Sequence, residues 1–293
     1  MRQLMFVKKL ALSLIVVSAA YVVATTAHAQ NARTWVSGIG TDTSNTLCSR
    51  AAPCLTFAHA IAETEAAGEI NCLTPGDFGP VTISMPVTIN CEVVSNGGIF
   101  VTSNSAITIT TTSFAVTLIG LEINGGNGAT AGVNIQSNAK VNIRNCKFYD
   151  FDGSAINFAP SSSGGVLVVD NVFIANTVTG ITQSSQSGVA NMTVRNSNIN
   201  NNSNGISVGV SGGTHAGATI EQTTLAFNVN TALFVNGAGA VAVVGGSTVV
   251  NNGTGVGVGG GGVVYSAKNN QIYGNDVDGT PLTAYPGFSG GGA

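Results

Sequence analysis

The chain has 293 residues, of which 39 are glycine and only 8% are charged, and its formal net charge is −3. A mildly acidic composition without a basic stripe argues against nucleic acid and anionic lipid as partners. So little charge is also typical of membrane proteins, but the one long apolar run, at residues 10–24, is short for a spanning helix.

Residues 1–29 have the three parts of a secretory signal peptide. Three basic residues precede the apolar run, and Ala27-His28-Ala29 follows it as a small-residue cleavage motif. We therefore expect a secreted or periplasmic protein that begins near Gln30 and does not insert into a membrane after cleavage. The alternative is an uncleaved N-terminal anchor.

Residues 30–69 are predicted to form an N-terminal strand and an amphipathic capping helix. The helix is expected over residues 53–67, because Pro53 suits a first helical turn and Gly68 suits the position after a helix end. The open end of a stacked-strand fold exposes strand edges and apolar core, and this helix is the natural cover for it. His59 is interpreted as a surface residue of this cap.

Five cysteines in an exported chain permit disulfides. Cys72 and Cys91 each end an Ile-Asn-Cys tripeptide, and stacking these tripeptides as neighbouring parallel strands would bring the sulfurs within bonding distance. Four cysteines allow three pairings, and we favour Cys48–Cys54 with Cys72–Cys91. Cys146 is left over and is interpreted as a buried, inert thiol; the alternative, a nucleophile, has no histidine near it in sequence. Without a Cys-x-x-Cys motif, we expect no metal site.

A repeat dominates the rest of the chain. Over residues 117–275 the same unit recurs every 23 to 26 residues: an apolar–x–apolar strand, a polar pair, an apolar residue, an Asn-rich turn and a second short strand. A fixed period in this range predicts a solenoid, whose units bury their apolar faces by stacking. One position of each unit marks the register of the stack; it is occupied by Gly120, Asn145, Asn171, Asn196, Gln222, Gly246 and Asn269.

The units predict an all-β fold, a right-handed parallel β-helix over residues 70–279. Their strands are short and rich in Val, Ile, Leu and Thr, and no segment between them is long enough for the helices of ankyrin or TPR repeats. Residues 106–118 are less regular and are predicted to hold a loop or a bulged coil. Residues 280–293, with two prolines and a glycine run, are predicted to form a flexible tail.

Two structural columns are expected from the repeat. The residue before the register position is Arg144, Asp170, Arg195, Glu221, Gly245 and Lys268, which predicts an outward column of stacked opposite charges. Asparagine side chains should also form hydrogen-bonded ladders, one from Asn176, Asn201 and Asn251 and another from Asn202, Asn228, Asn252 and Asn275. Both columns are interpreted as structural rather than catalytic.

The N-terminal segments resemble a known family. The motifs are Trp35-Val36-Ser37-Gly38, Gly40-Thr41-Asp42, Pro53-Cys54-Leu55-Thr56-Phe57, Ala60-Ile61, Gly68-Glu69-Ile70 and Pro75-Gly76-Asp77-Phe78. They are similar to the N-terminal cap of secreted bacterial members of the pectin-lyase-like, right-handed parallel β-helix superfamily. This superfamily includes pectate lyases, polygalacturonases, alginate epimerases, phage tailspikes and adhesins, so the resemblance implies a fold rather than an activity.

The residues do not identify a catalytic site. The resemblance would imply Asn-Thr-Asp, Asp-Asp, Gly-His-Gly and Arg-Ile-Lys motifs in a polygalacturonase-like enzyme, and the sequence contains none of them. Lys, Tyr and two Asp occur together only at Lys147, Tyr149, Asp150 and Asp152, which are the candidate glycan-contact residues, with calcium as an alternative participant and no other cofactor expected. The competing interpretation is a solvated turn, because Asp150 occupies the turn position that Asn176 and Asn201 hold in later units.

Two functions remain open at this point. The first is a non-catalytic exported protein, at a surface or in a matrix, that binds a polysaccharide along one face. The alternative is a polysaccharide lyase, hydrolase or epimerase, which would require a groove lined by several charged side chains from three or more coils. The low charge favours the first function, and the sequence specifies neither the glycan nor the oligomeric state.

Overall fold

The computed structural model describes residues 30–112 and 114–286, and the predicted signal peptide lies outside them. The solenoid prediction is confirmed: the described chain is a parallel β-helix, in which each coil pairs with the coils before and after it. No helix in the described residues is long and apolar enough to cross a membrane.

Each coil contributes strands to three faces. Face 1 contains β1 (Asn31–Val36), β2 (Thr64–Cys72), β5 (Val87–Asn90), β8 (Ala115–Ile119), β11 (Lys140–Arg144), β13 (Gly165–Asp170), β15 (Val189–Arg195), β18 (His215–Glu221), β21 (Ala240–Gly245), β24 (Val263–Ser266) and β27 (Thr283–Ala284).

The second sheet bends at a corner into faces 2 and 3. Face 2 contains β3 (Gly76–Asp77), β6 (Gly97–Phe100), β9 (Glu122–Asn124), the first residues of β12 (Lys147–Phe158) and of β14 (Phe173–Ser185), and then β16 (Asn198–Asn200), β19 (Thr224–Ala226), β22 (Thr248–Val250) and β25 (Gln271–Tyr273). Face 3 contains β4 (Val81–Ile83), β7 (Ser105–Ile109), β10 (Ala131–Ile135), the last residues of β12 and β14, β17 (Asn204–Val210), β20 (Thr231–Asn236), β23 (Thr254–Gly259) and β26 (Val277–Gly279).

The core runs along the axis of the solenoid. Side chains alternate inward and outward along each strand, so the central residues of the three-residue strands β9, β16, β19 and β22 are buried. These inward residues stack into a column of Ile123, Phe148, Ile174, Ile199, Leu225 and Val249. Burying a side chain of this size contributes about 1.5–3 kcal/mol, which makes the column a main source of stability.

The corners explain why asparagine and glycine mark the register. All seven predicted register positions have a positive φ, between 48° and 67°, in the left-handed region. Glycine and asparagine adopt this region at low cost, so a tight turn can recur in every coil. The corner between faces 2 and 3 uses the same conformation, at Asp150 (φ 64°), Asn176 and Asn201.

Of the two predicted asparagine ladders, one is confirmed. Buried side-chain amides donate from Asn202 to Asn228 (3.1 Å), from Asn228 to Asn252 (2.9 Å) and from Asn252 to Asn275 (2.8 Å). The ladder through Asn176 and Asn201 was wrong. Among the described residues no side-chain hydrogen bond joins these two, because the backbone N–H of Asn176 reaches the Asn201 carbonyl and its amide turns towards Asp150.

The charge column is confirmed over its first five positions. Arg144 lies opposite Asp170, Asp170 opposite Arg195, and Arg195 opposite Glu221, which is followed by Gly245. Lys268 was wrongly placed in the column. Ser266 pairs with Val244, so Ala267 lies opposite Gly245, and the corner takes up one extra residue with positive φ at both Lys268 and Asn269.

The capping helix exists but is shorter than predicted. Helix α1 spans Phe57–Glu63, and Thr56 caps it by accepting a hydrogen bond from the backbone N–H of His59. The helix ends at Thr64 because the following residues pair with β1 and β5 as strand β2. His59 lies at the surface of the cap and is half-buried, with its Nε2 2.7 Å from the carbonyl oxygen of Asn45.

Both favoured disulfides are present, Cys48–Cys54 and Cys72–Cys91. The second links the end of β2 to the residue after β5, which joins two consecutive coils as the Ile-Asn-Cys stacking predicted. Cys146 is a free, buried thiol.

The segment predicted to be irregular contains regular strands. Ser105–Ile109 belongs to face 3 and Ala115–Ile119 to face 1, so their close spacing in sequence reflects a corner between faces. In the segment predicted as a tail, Thr283–Ala284 pairs with Tyr265 and Ser266 of the preceding coil.

Candidate functional site: a groove on face 2

The outward residues of face 2 form two adjacent columns in the N-terminal coils. In the first column the register brings Asp77, Gly98, Glu122 and Lys147 into line. In the second it aligns Phe100, Asn124 and Tyr149. The alternation that buries Ile99, Ile123 and Phe148 directs both columns to solvent, so charged and aromatic side chains of successive coils meet on one surface.

Gly98 allows the backbones of two coils to approach closely at this surface. Gly98 packs so closely that a Cβ there would lie 1.7 Å from the carbonyl oxygen of Glu122, so no other residue fits. Two shallow depressions adjoin and share Asn96 and Glu122 in their walls. The residues that define the groove are Asp77, Glu92, Asn96, Phe100, Glu122, Asn124, Asn145, Lys147 and Tyr149.

Glu122 is the centre of the groove. Its half-buried carboxylate accepts a hydrogen bond from the Tyr149 hydroxyl through Oε1, and its Oε2 lies 3.7 Å from Nζ of Lys147. Burial raises the pKa of Tyr149, and the hydrogen bond to Glu122 and the negative charges of Glu122 and Asp150 raise it further. The phenol therefore stays protonated at neutral pH and acts as a hydrogen-bond donor.

Asp150 forms part of the wall behind the groove. Its carboxylate accepts from Nδ2 of Asn124 at 3.1 Å and from Nδ2 of Asn176 at 3.4 Å. These bonds tie three consecutive coils together at the corner between faces 2 and 3. Asp150 thus contributes to the groove by holding Asn124 in place beside Tyr149.

The remaining carboxylates are at the edges of the groove. Asp77 is exposed, and its Oδ1 accepts from the backbone N–H of Phe100 at 3.0 Å and of Gly79 at 3.1 Å. Glu92 is exposed as well and accepts from the side-chain amide of Asn145. The groove lining therefore carries three carboxylates, Asp77, Glu92 and Glu122, against the single ammonium of Lys147.

The structure brings together two of the four predicted contact residues, the exposed Lys147 and the half-buried Tyr149. Lys147 and Tyr149 meet at Glu122, whereas Asp150 is engaged in the wall and Asp152 lies beyond the buried Phe151, past the corner. In the described chain, Asp152 has no side-chain hydrogen bond or ion pair with the other three. The glycan-contact role of these four residues stays a prediction.

Sequence reasoning missed Glu122, Asp77 and Phe100 because each comes from an earlier coil. The signal for Glu122 was nonetheless present: it follows the register residue Gly120 by two positions, as Lys147 follows Asn145. Equal offsets from the register position place two residues in the same column, so the pairing of Glu122 with Lys147 could have been read from the repeat.

Within the described residues, one group of three side chains has metal-ligand spacing, and it lies in the cap. It consists of Cys48, Cys54 and His59. The two sulfurs are bonded to each other, so they are not available as the thiolates that bind metals. The groove carboxylates do not converge as a preformed three-ligand cluster.

Residues 82–216 match the family model described as a right handed beta helix region. The fold of the described chain is a right-handed parallel β-helix. The match begins in β4 and ends in β18, and therefore includes most of the groove. No curated protein sequence matches this β-helix protein at a significant level.

Two solved structures show a distant similarity to it. A rhamnogalacturonan lyase aligns over 75% of this chain and 74% of its own, with 11% identity and a TM-score of 0.47. An alginate lyase from Paenibacillus sp. str. FPU-7 aligns over 87% of this chain and 97% of its own, with 16% identity and a TM-score of 0.42. At these identities the likeness is one of fold alone.

Proposed function

We propose that this β-helix protein is exported and binds a neutral polysaccharide in the face 2 groove without cleaving it. The observation that carries the proposal is the alignment of Phe100, Asn124 and Tyr149 in one column beside the carboxylates of Asp77 and Glu122. Phe100 is 52% exposed, and an exposed aromatic ring offers an apolar face for a sugar ring. Carboxylates and amides supply acceptors and donors for sugar hydroxyls.

The charge of the groove favours a neutral polymer over a polyuronate. Three carboxylates and one ammonium line it, so a chain with a carboxylate on every sugar meets net repulsion. The repulsion is partly screened at physiological salt and strongest at low ionic strength. Neutral galactans, glucans and mannans lack this cost and can still donate hydroxyl hydrogen bonds to Glu122 and Asp77.

The protonation state of Tyr149 favours a binding role for this residue. Proton abstraction requires a group that is unprotonated at working pH. The raised pKa keeps the Tyr149 phenol protonated, so it acts as a hydrogen-bond donor and not as a base.

A polysaccharide lyase is the second candidate. Catalysis in such a groove requires charged groups from several coils. The convergence of Glu122, Lys147 and Tyr149 from consecutive coils therefore favours this candidate. Calcium would have a role here, since a cation between a uronate and the groove carboxylates would remove the repulsion.

Binding to immobilised neutral and acidic polysaccharides, with and without calcium, tests the proposal. We expect the wild type to be retained on at least one neutral polymer. Phe100→Ala and Glu122→Gln should each lower the affinity tenfold or more. The matched controls Phe234→Ala and Glu221→Gln should keep wild-type affinity, because their side chains lie on other faces. Retention on alginate or polygalacturonate alone would contradict the neutral-polymer proposal.

Product assays separate the two candidates. We expect no unsaturated product and no new reducing ends from any polymer. Turnover by the wild type that is lost in a Tyr149→Ala, Asp150→Ala, Asp152→Ala variant would establish the lyase and place its site at this corner. Turnover that survives in that variant would place catalysis elsewhere.

Export is part of the proposal. Two disulfides are compatible with an oxidising compartment, where such bonds persist. N-terminal sequencing of the protein recovered from periplasm and medium should find a chain that begins near Gln30. A membrane-embedded form that retains Met1 would contradict cleavage.

A further inference from the structure

The corner between faces 2 and 3 has an unusual residue in one coil of the solenoid. A left-handed residue occupies this corner in successive coils, and it is asparagine at Asn176, Asn201 and Asn251. In the coil of β19 the same position is held by Phe227, with a φ of 57°. Asparagine is tolerated in the left-handed region, whereas a bulky side chain is strongly disfavoured there. The backbone conformation of this corner therefore disfavours phenylalanine.

The ring of Phe227 is also poorly buried. The side chain is 55% exposed, although the residues on either side of it, Ala226 and Asn228, are buried. Phe227 thus combines an unfavourable backbone conformation with an apolar ring that faces solvent. Its ring presents a flat apolar surface of the kind on which a sugar ring packs.

The corner that carries Phe227 is one residue longer than the corner of the next coil. Val229 and Asn230 stand where Gly253 stands alone. A Cβ at Gly253 would lie 2.3 Å from the carbonyl oxygen of Val229, so the longer corner leaves no room for a side chain beneath it. Val229 is 73% exposed and lines a surface depression together with Phe227.

Polar side chains of the two following coils complete this depression. Asn251 comes from the first of these coils and Asp276 from the second. Both are exposed, and within the described chain neither side chain has a hydrogen bond or an ion pair. Among the described residues of the lining, only Asp276 is charged. An amide and a carboxylate beside an aromatic ring offer a sugar hydrogen bonds to its hydroxyls as well as an apolar contact.

This depression lies in line with the groove on face 2. The register places Tyr149, Ala175, Asn200 and Ala226 in one column, so Phe227 comes three coils after Tyr149. At about 4.8 Å per coil, the two aromatic residues are about 14 Å apart along the axis. The column residues between them have short side chains. A polysaccharide that leaves the groove parallel to the axis therefore reaches Phe227.

We propose that Phe227, Val229, Asn251 and Asp276 form a second sugar-binding site, which is occupied by the polysaccharide chain that the groove holds. This inference rests on the proposed function, because one chain fills both sites. The carboxylate of Asp276, with no cation in the described lining, suits a neutral polymer, as the groove does. A protein partner would need about 20–30 residues on each side, which is far more than this depression offers.

Titration of the mature chain with soluble galactan, glucan and mannan tests the second site. We expect Phe227→Asn to weaken binding of the polymer that the wild type binds tenfold or more, and Phe227→Tyr, which keeps a ring, to bind nearly as well as the wild type. Phe227→Asn should keep the wild-type circular dichroism spectrum, because asparagine holds this corner in the coils on both sides. The control Phe234→Asn removes a ring from face 3 of the same coil and should keep wild-type affinity.

The Phe100→Ala variant separates a failure of this inference from a failure of the groove. If Phe100→Ala loses affinity and Phe227→Asn keeps it, the groove is supported and the second site is wrong. If Phe227→Asn alone loses affinity, the site at Phe227 is supported and the groove is not. A wild type that binds none of the three polymers would overturn both.

Discussion

Tyr149 donates a hydrogen bond from its hydroxyl to Oε1 of Glu122, on the neighbouring strand of the preceding coil. Twenty-seven residues separate the two in sequence. Nζ of Lys147 lies 3.7 Å from the other carboxylate oxygen of Glu122, Oε2. The half-buried Glu122 side chain therefore positions both Tyr149 and Lys147 in the groove.

Removing the Tyr149 hydroxyl should weaken both the fold and the groove. Tyr149→Phe leaves the Glu122 carboxylate with one partner fewer, and losing a hydrogen bond to a charged group costs about 1.5–3 kcal/mol, towards the low end at a partly exposed site. The free energy of unfolding in urea measures this cost. The matched control is Tyr273→Phe, the same residue type in the same column, which should change stability by less than about 0.5 kcal/mol.

The same pair predicts a pH effect. The pKa of Tyr149 is higher in the folded protein than its ordinary value of 10.0, so the folded state binds the phenolic proton more tightly. This contribution to stability is complete below pH 10 and declines as the pH rises towards the folded-state pKa. Urea unfolding from pH 8 to pH 11 should show a decline that is smaller in Tyr149→Phe; equal declines would disprove the coupling to Glu122.

The Cys72–Cys91 disulfide should stabilise the first coils. It closes a longer loop than Cys48–Cys54, with sequence separations of 19 and 6. In the chain-entropy model, losing the first costs about 3 kcal/mol and losing the second about 2 kcal/mol. Urea unfolding of Cys72→Ser and Cys48→Ser measures both values, and non-reducing peptide mapping checks the pairing. Free thiols at 72 and 91 in the exported protein would contradict it.

The buried asparagine ladder should be sensitive to a single deletion. Asn228 bonds to Asn202 on one side and Asn252 on the other, so Asn228→Ala leaves two buried amides short of a partner. Each unsatisfied group costs about 1–3 kcal/mol, and we expect a total loss of about 2–5 kcal/mol in the free energy of unfolding. Asn198→Ala, at an exposed position of face 2, is the control and should cost less than about 0.5 kcal/mol.

The charge column should matter much less. Arg195 lies 3.0 Å from Asp170, but both side chains are partly exposed, so Arg195→Ala should cost less than about 1 kcal/mol. The hydrogen bond from Asn196 is the main cause that lowers the pKa of Asp170, and Arg195 lowers it further. Carboxyl chemical shifts should therefore show a higher Asp170 pKa in Asn196→Gly and a smaller rise in Arg195→Ala. A loss of polysaccharide binding in folded Arg195→Ala would contradict a structural role.

Cys146 should be inert in the folded protein. Burial raises its pKa to about 12, and its Sγ lies 3.2 Å from the carbonyl oxygen of Arg144. The thiolate is the reactive form, so iodoacetamide at pH 8 should label Cys146 only after unfolding. Fast labelling of the native protein would reinstate the nucleophile that we set aside.

The sequence by itself determined the architecture of this protein. A repeat of 23 to 26 residues predicts stacked units, and asparagine or glycine at most register positions predicts left-handed corners. The coils, the charge column and one asparagine ladder could therefore be predicted from the repeat alone. The paired Ile-Asn-Cys tripeptides likewise indicated the Cys72–Cys91 bond. Each of these inferences depends on a pattern that recurs at a fixed interval.

Only the tertiary structure decided which outward side chains of neighbouring coils contact each other. The repeat could place Glu122 beside Lys147, but no local pattern indicated the hydrogen bond from Tyr149 to Glu122 or the close approach of the Glu122 backbone to Gly98. The shortened helix α1 has a similar cause, because pairing of β2 with β1 and β5 outweighs helical propensity after Glu63. A short sequence window cannot represent such contacts, since stacking joins residues a full coil apart.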